Sequence, residues 1–306
     1  MLQQVLRRPL LAIADSERME SLVRRNAKGL VNRFVAGEDL ESAVAAVRGI
    51  VEQRMTTTLD QLGENVSTEA EARAAVATYI TILRRLAAEG LEPNISIKLT
   101  MLGLDLGEEI ATANASEVLA TVQELGGFVR IDMEGSAYTA GTVSITESLH
   151  ARFPGTVGTV IQSYLRRSEA DVERLIAAKI RVRLVKGAYA EPGEIAFRDR
   201  KEVDQSYVRL MRRLLDAGVF PAIATHDPAL IQEARDYVRR QGVRSDQFEF
   251  QMLYGVRRDA QEELSGAGFG MRIYVPYGTE WYPYFTRRIA ERPANAVFVL
   301  RQFVGR

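Results

Sequence analysis

With 306 residues the chain can bury a large apolar core, enough for two domains or for one large barrel. Forty basic residues balance forty acidic ones, which removes the bulk electrostatic footprint of a nucleic-acid binder and leaves local charge clusters as the informative ones. There is no cysteine, and only His150 and His226 supply imidazole. Disulfides, thiolate chemistry, iron–sulfur clusters and multi-histidine metal sites are therefore excluded, and redox chemistry would need an organic cofactor or another metal.

The opening MLQQVLRRPLLAIADSERME lacks the long apolar stretch and small-residue cleavage site of a secretory signal, and no later run approaches the ~20 apolar residues of a membrane span. A cytoplasmic protein is expected. Asp15 or Ser16 can cap a helix running to Phe34, and GEDL opens a second helix with Leu40, Val44, Val47 and Val51 on one face. Residues 1–52 read as an N-terminal helical arm. From there a short β-rich run, a polar break and an amphipathic helix alternate to the end, which makes 53–306 one further unit.

The β-rich runs, in order, are TTTLDQL (56–62), NISIKLT (94–100), FVRIDME (128–134), VGTVIQS (157–163), IRVRLVK (180–186), PAIATH (221–226), FEFQML (248–253) and MRIYVP (271–276). Eight strands alternating with crossover helices predict a (β/α)8 TIM-type barrel, with an open doubly wound sheet as the runner-up. GAGFG at 266–270 precedes a strand rather than following one, so the dinucleotide fingerprint is absent from its expected place.

The active site of such a barrel lies at the carboxyl ends of the strands. There the runs deliver Asp60, Lys98, Asp132, Glu134, Gln162, Arg183, Lys186, His226, Gln251 and Tyr274. So many ionisable groups at one rim need mutual pairing or a charged ligand to offset their desolvation. Lys98 and Lys186 are two of only five lysines, against thirty-five arginines that mostly fill the helices. A strand-end lysine can be catalytic or simply an ion-pair member. Asp132 and Glu134, two residues apart on one strand, can form a carboxylate pair, or one can neutralise Lys98 or Arg183. Arg287 and Arg288 follow the aromatic stretch YGTEWYPYF, which would close over the barrel mouth. Paired arginines at 24–25, 84–85 and 212–213 have no such setting.

The words SIKLT around Lys98, IDME around Asp132, IQSYLRR around Gln162, RLVKGAY from Arg183, ATH ending at His226, FQMLYG around Gln251 and RIYVPYG around Tyr274 occur in this order. Together they resemble the proline dehydrogenase family, and the resemblance runs from about Thr56 to Arg292. It implies a distorted barrel that holds FAD non-covalently and oxidises L-proline to Δ1-pyrroline-5-carboxylate. By residue-wise carry-over it implies Asp132 and Arg183 as catalytic residues, and Lys98, Tyr274, Arg287 and Arg288 as substrate-binding residues, with the last helix covering the site. Met133, Gln162, Val185, Lys186, Gly187, Ala188, Thr225 and His226 would contact the flavin, and no metal is expected. Asp132 is expected to pair with Lys98.

The resemblance also implies a membrane quinone as electron acceptor, peripheral contact at the inner face of the membrane, and hand-over of product to a separate pyrroline-5-carboxylate dehydrogenase. Two positions depart from the family words: Ala190 where an aromatic residue is usual, and Asp227 where asparagine is common. Three alternatives remain at this point. One is a flavin barrel resembling methylenetetrahydrofolate reductase, another is a Schiff-base aldolase using Lys98 or Lys186, and the third is an inactive barrel serving as a scaffold.

Overall fold

The computed structural model describes residues 31–291, with side chains to Thr286. The helix expected from Asp15 or Ser16 therefore lies almost wholly outside the described residues. In chain order the elements are α1 (Leu40–Glu52), β1 (Thr56–Gln61), α2 (Glu69–Ala88), β2 (Asn94–Ile97), α3 (Glu108–Leu125), β3 (Phe128–Ile131), α4 (Ser136–Arg152), β4 (Val157–Gln162) and α5 (Ser168–Ala177). They continue with β5 (Arg181–Val185), α6 (Arg200–Ala217), β6 (Ala222–Ala224), α7 (Pro228–Gln241), β7 (Glu249–Leu253), α8 (Arg258–Gly266), β8 (Gly270–Tyr277) and α9 (Trp281–Glu291). The eight strands pair in sequence order, all parallel, and β8 closes on β1. The (β/α)8 barrel is thus the observed fold, and the open sheet is ruled out.

Helix starts follow side-chain chemistry. Thr68 and Glu71 form a reciprocal capping box on α2, and Asp39, Asp199 and Asp227 accept backbone N–H groups at the starts of α1, α6 and α7. These carboxylates satisfy donors that a helix leaves unpaired and complement its positive end. Pro228 in the first turn of α7 removes one such donor outright.

The strands alternate apolar and polar, and the two faces have different destinations. Leu59, Ile95, Ile97, Val129, Ile131, Leu184, Phe250, Ile273 and Val275 join the core cluster formed with the helices. The intervening positions carry Arg130, Arg183, Glu249, Gln251, Arg272 and Tyr274, and those at 183, 249, 251 and 272 hydrogen-bond to one another. Barrels of this type are usually filled by branched apolar side chains; this interior is charged, and Arg183, Gln251, Glu249 and Arg272 form one hydrogen-bonded chain, while Arg130 donates to the Thr159 and Arg181 carbonyls.

α1 packs Ala43, Val44, Val47 and Ile50 into the same core as the barrel strands, so the helical arm and the barrel share one interior. The expected stripe is off by one at its end: Ile50 is buried and Val51 is 43 % exposed. Both positions lie within one turn of Val47 on a 3.6-residue period, and the barrel wall selects the first.

Candidate active site

At the carboxyl end of the barrel a cavity of about 570 Å³ opens among the loops after the strands. Every sequence candidate with a described side chain lines it: Lys98, Asp132, Met133, Gln162, Arg183, Val185, Lys186, Gly187, Ala188, Thr225, His226 and Tyr274. The volume is in the range of small-molecule and cofactor sites. Arg287 and Arg288 fall in α9, but their side chains lie outside the described residues. Tyr284, one turn earlier on that helix, does line the cavity.

One half of the cavity is an ion-paired cluster. Lys98 Nζ donates to Asp60 Oδ1 and Oδ2 at 3.0 and 3.3 Å, and lies 3.9 Å from Asp132 Oδ2. Asp132 accepts from Arg183 Nη1 at 2.7 Å through Oδ1, and from the Tyr274 hydroxyl at 2.8 Å through Oδ2. The expected pairing of Asp132 with Lys98 is present as an ion pair without a hydrogen bond. Asp60, at the end of the neighbouring strand and fully buried, makes that hydrogen bond, while Asp132 locks Arg183 and Tyr274 together. Asp132 and Glu134 do not act as a pair. Glu134 lies beyond the end of β3 and turns away to accept from the Thr100 backbone N–H and hydroxyl.

Burial alone would lower the Lys98 amine, but Asp60 and then Asp132 outweigh it and hold the ammonium above its ordinary value. A nucleophilic amine is therefore disfavoured, which removes the basis for a Schiff-base reading at Lys98. Burial pushes the Asp60 carboxyl up, with Lys98 opposing. Burial, followed by Asp132 and Asp60, pushes the Tyr274 phenol well up, so it stays a hydroxyl and a donor. Two cations face two carboxylates, so the quartet is close to neutral by itself. An anionic ligand needs further positive charge here, and by sequence α9 brings two arginines.

The other half of the cavity has the features of a cofactor bed. Gln162 donates through Nε2 to the carbonyls of Met133 and Glu134 at 3.2 and 3.4 Å, while its buried Oε1 has no hydrogen-bond partner among the described residues. An acceptor left open in the lining of a buried site is available to a donor from a ligand. His226 Nε2 accepts from the Leu253 N–H at 2.9 Å, which fixes the proton of the neutral ring on Nδ1. Gly187 sits at φ +117°, and a Cβ there would run into the Tyr164 ring; only glycine gives this close approach. Lys186 is held by Asp204 at 2.5 Å and by Asp227 at 2.9 Å. The uncommon Asp227 thus caps α7 and anchors a cavity lysine at once. Ala190 is exposed and does not line the cavity.

Sequence reading assigned no role to Asp60, Ser96, Asp204, Glu249 or Arg272. Asp60 was visible at a strand end; the others depend on register and on a helix whose facing residues no motif marks. Among the described residues no group of histidine and carboxylate side chains is placed to hold a metal ion.

A closed parallel barrel with an ion-paired mouth opening into a cavity of mixed polar and apolar lining defines a (β/α)8-barrel enzyme. The family profile described as proline dehydrogenase matches residues 43–301. The chain is 40 % identical to a proline dehydrogenase of Deinococcus radiodurans over 98 % of both chains, and 39 % identical to proline dehydrogenase 1 of Bacillus subtilis (strain 168) over 97 % of this chain and 98 % of that one. A crystal structure of proline utilization A from Bdellovibrio bacteriovorus, inactivated by N-propargylglycine, matches 89 % of this chain with a TM-score of 0.83 and 27 % identity. This chain spans only 34 % of that longer protein. The chain belongs to the proline dehydrogenase family of oxidoreductases.

Proposed function

We propose that the chain oxidises L-proline to Δ1-pyrroline-5-carboxylate with FAD as cofactor, and that its electrons pass on to a membrane quinone. The observation that carries this reading is the Lys98–Asp60–Asp132–Arg183–Tyr274 cluster, set against a cavity whose other wall leaves a buried amide acceptor and a glycine cradle open. The residues fit a flavin. Gln162, Thr225 and His226 offer hydrogen-bonding groups, Met133 and Val185 offer apolar surface, and the 186–188 backbone offers close approach at Gly187.

When bound, FAD supplies the two-electron acceptor. Substrate oxidation removes a hydride from Cδ of the proline ring and a proton from its nitrogen, leaving a C=N bond. Lys98, Arg287 and Arg288 neutralise the substrate carboxylate, and Tyr274 packs beside the ring. Ammonium and guanidinium groups acting together fix orientation as well as charge. The buried Arg183 guanidinium stabilises negative charge that develops during the reaction. Asp132 holds the Arg183 guanidinium and the Tyr274 hydroxyl in place, and solvent takes the amine proton.

No helix among the described residues is long and apolar enough to cross a membrane. The quinone would be met by peripheral contact from the cytoplasmic side. The product contains a reactive C=N bond and would be consumed by a separate pyrroline-5-carboxylate dehydrogenase. The test is an absorption spectrum of the purified protein before and after anaerobic addition of L-proline, with a soluble quinone added last. Flavin bands that bleach with proline and return with quinone support the reading. Bands that do not bleach would remove proline as the substrate, and a colourless protein that takes up no added FAD would remove the flavin.

A further inference from the structure

The barrel interior behind Arg183 contains a continuous hydrogen-bonded chain that the proposed reaction does not use. Arg183 Nε donates to Gln251 Oε1 at 2.5 Å, and Gln251 Nε2 donates to Glu249 Oε1 at 2.5 Å. Glu249 in turn accepts from Arg272 Nε through both oxygens at 3.1 Å. Arg272 Nη1 reaches the Thr57 carbonyl at 2.6 Å and Glu92 Oε2 at 2.9 Å, at the amino end of the strands. Arg183, Gln251, Glu249 and Arg272 are all less than one-tenth exposed.

We infer that Gln251, backed by Glu249 and Arg272, is a positioning residue that fixes the guanidinium of Arg183 for the reaction. The inference rests on the proline-oxidising reading. Guanidinium groups only donate and ionised carboxylates only accept. An amide between Arg183 and Glu249 therefore has one orientation that satisfies both neighbours, with oxygen to the arginine and nitrogen to the carboxylate. Leucine at 251 would break both bonds, and glutamate would set a second carboxylate against Glu249 in a buried site.

Asp132 holds one terminal nitrogen of Arg183, and Ser96 Oγ accepts from the other at 3.1 Å. Gln251 closes the remaining side at Nε, so the planar group loses its freedom to pivot about Asp132. Because Glu249 and Arg272 cancel each other, the relay fixes Arg183 without adding net charge beside it.

The test is stopped-flow reduction of the flavin-loaded enzyme by proline, with the flavin midpoint potential measured on the same samples. Gln251→Leu and the more isosteric Gln251→Met are expected to lower the limiting reduction rate about tenfold to a hundredfold, as misplacement of a charged group by an ångström does. The half-saturating proline concentration should move less than about threefold on the same geometric argument. The potential should fall, because a guanidinium free to swing away stabilises the reduced state less. Glu249→Gln, which still presents an acceptor to Gln251 and Arg272, should recover most of the rate lost in Glu249→Leu.

A purely structural role would lower the melting temperature and leave the potential where it was. Flavin-loaded Gln251→Met that reduces at the wild-type rate with unchanged potential would overturn the relay. Wild-type enzyme that proline fails to bleach would instead overturn the proline reading, and the two failures are separable because the wild type is measured first.

Discussion

At the scale of single residues, Asp132 has an unusual load, since it accepts from a guanidinium through one oxygen and from a phenol through the other. Asp132→Ala would release both donors and leave Arg183 buried without its carboxylate. Turnover should fall by roughly a hundredfold or more, in line with the loss of a positioning contact at a charged centre. The wall proposed to hold the flavin is made by other residues, so flavin content should stay near wild type; a proline–quinone assay with a flavin extraction checks both.

Asp227 supports a prediction with a definite sign. Its carboxyl is desolvated, which alone would raise it, but Lys186, the Ala229 N–H and Arg200 outweigh this and hold it below its ordinary 3.8. A lowered folded-state value gives stability that is present above the unfolded value and lost as pH falls through the folded one. Wild type should therefore melt above Asp227→Asn at pH 7, with the gap closing as pH drops below about 4. A gap that stays constant from pH 7 to pH 3 would show that hydrogen bonding alone, without the charge, gives Asp227 its effect. Asp132 was legible in sequence as a polar residue closing an apolar strand word, and Asp227 only as a departure from a family word. Their partners were not, because the Lys98–Asp60 contact depends on how β1 and β2 are staggered, and no motif spans two strands.

At the scale of elements, the segment before α1 explains how α9 is placed. Ala36 N–H donates to the Pro276 carbonyl at 2.8 Å, Gly278 N–H donates to the Gly37 carbonyl at 3.0 Å, and Trp281 Nε1 donates to Glu38 Oε1 at 2.9 Å. Val31, Phe34 and Val35 pack with Trp281, Tyr282, Tyr284 and Phe285 in a small cluster separate from the main core. A strand end and a helix start are thereby tied to the same stretch of chain. Glu38→Ala removes the hydrogen bond from the indole N–H and loosens the first turn of the helix that carries Arg287 and Arg288. Loss of one such bond to a charged acceptor costs about 1.5–3 kcal/mol, part of which should appear as a severalfold higher Michaelis constant for proline, with flavin content unchanged. Glu38→Gln, which keeps an acceptor, should restore most of it. Steady-state kinetics at several proline concentrations decide this, and an unaltered Michaelis constant in Glu38→Ala would detach α9 from this anchor. The sequence showed only that GEDL opens a helix; nothing in it paired Glu38 with Trp281, because the two lie 243 residues apart.

At the scale of the whole molecule, eight alternating runs were enough to predict the barrel because a parallel sheet forces a crossover helix between consecutive strands. The boundary after residue 52 is a weaker reading, since periodicity identifies an amphipathic helix but not the surface that covers it. Val44 and Val47 are each 1 % exposed and Ile50 is 7 % exposed, all within the barrel's own core cluster. Burying three such side chains is worth about 5–9 kcal/mol, against a total of ~5–15 kcal/mol for a typical domain. Removing residues 1–52 should therefore leave β1, β8 and the outer wall uncovered, and the chain should lose its cooperative melt instead of retaining a trimmed enzyme. Circular dichroism and flavin fluorescence followed together on heating test this, since both should change in one coincident transition in the full chain and neither should show a sharp transition in the truncated one. A truncated protein that still binds flavin and melts cooperatively near the wild-type temperature would mean that α1 is a detachable arm, and that the barrel closes its own wall without it.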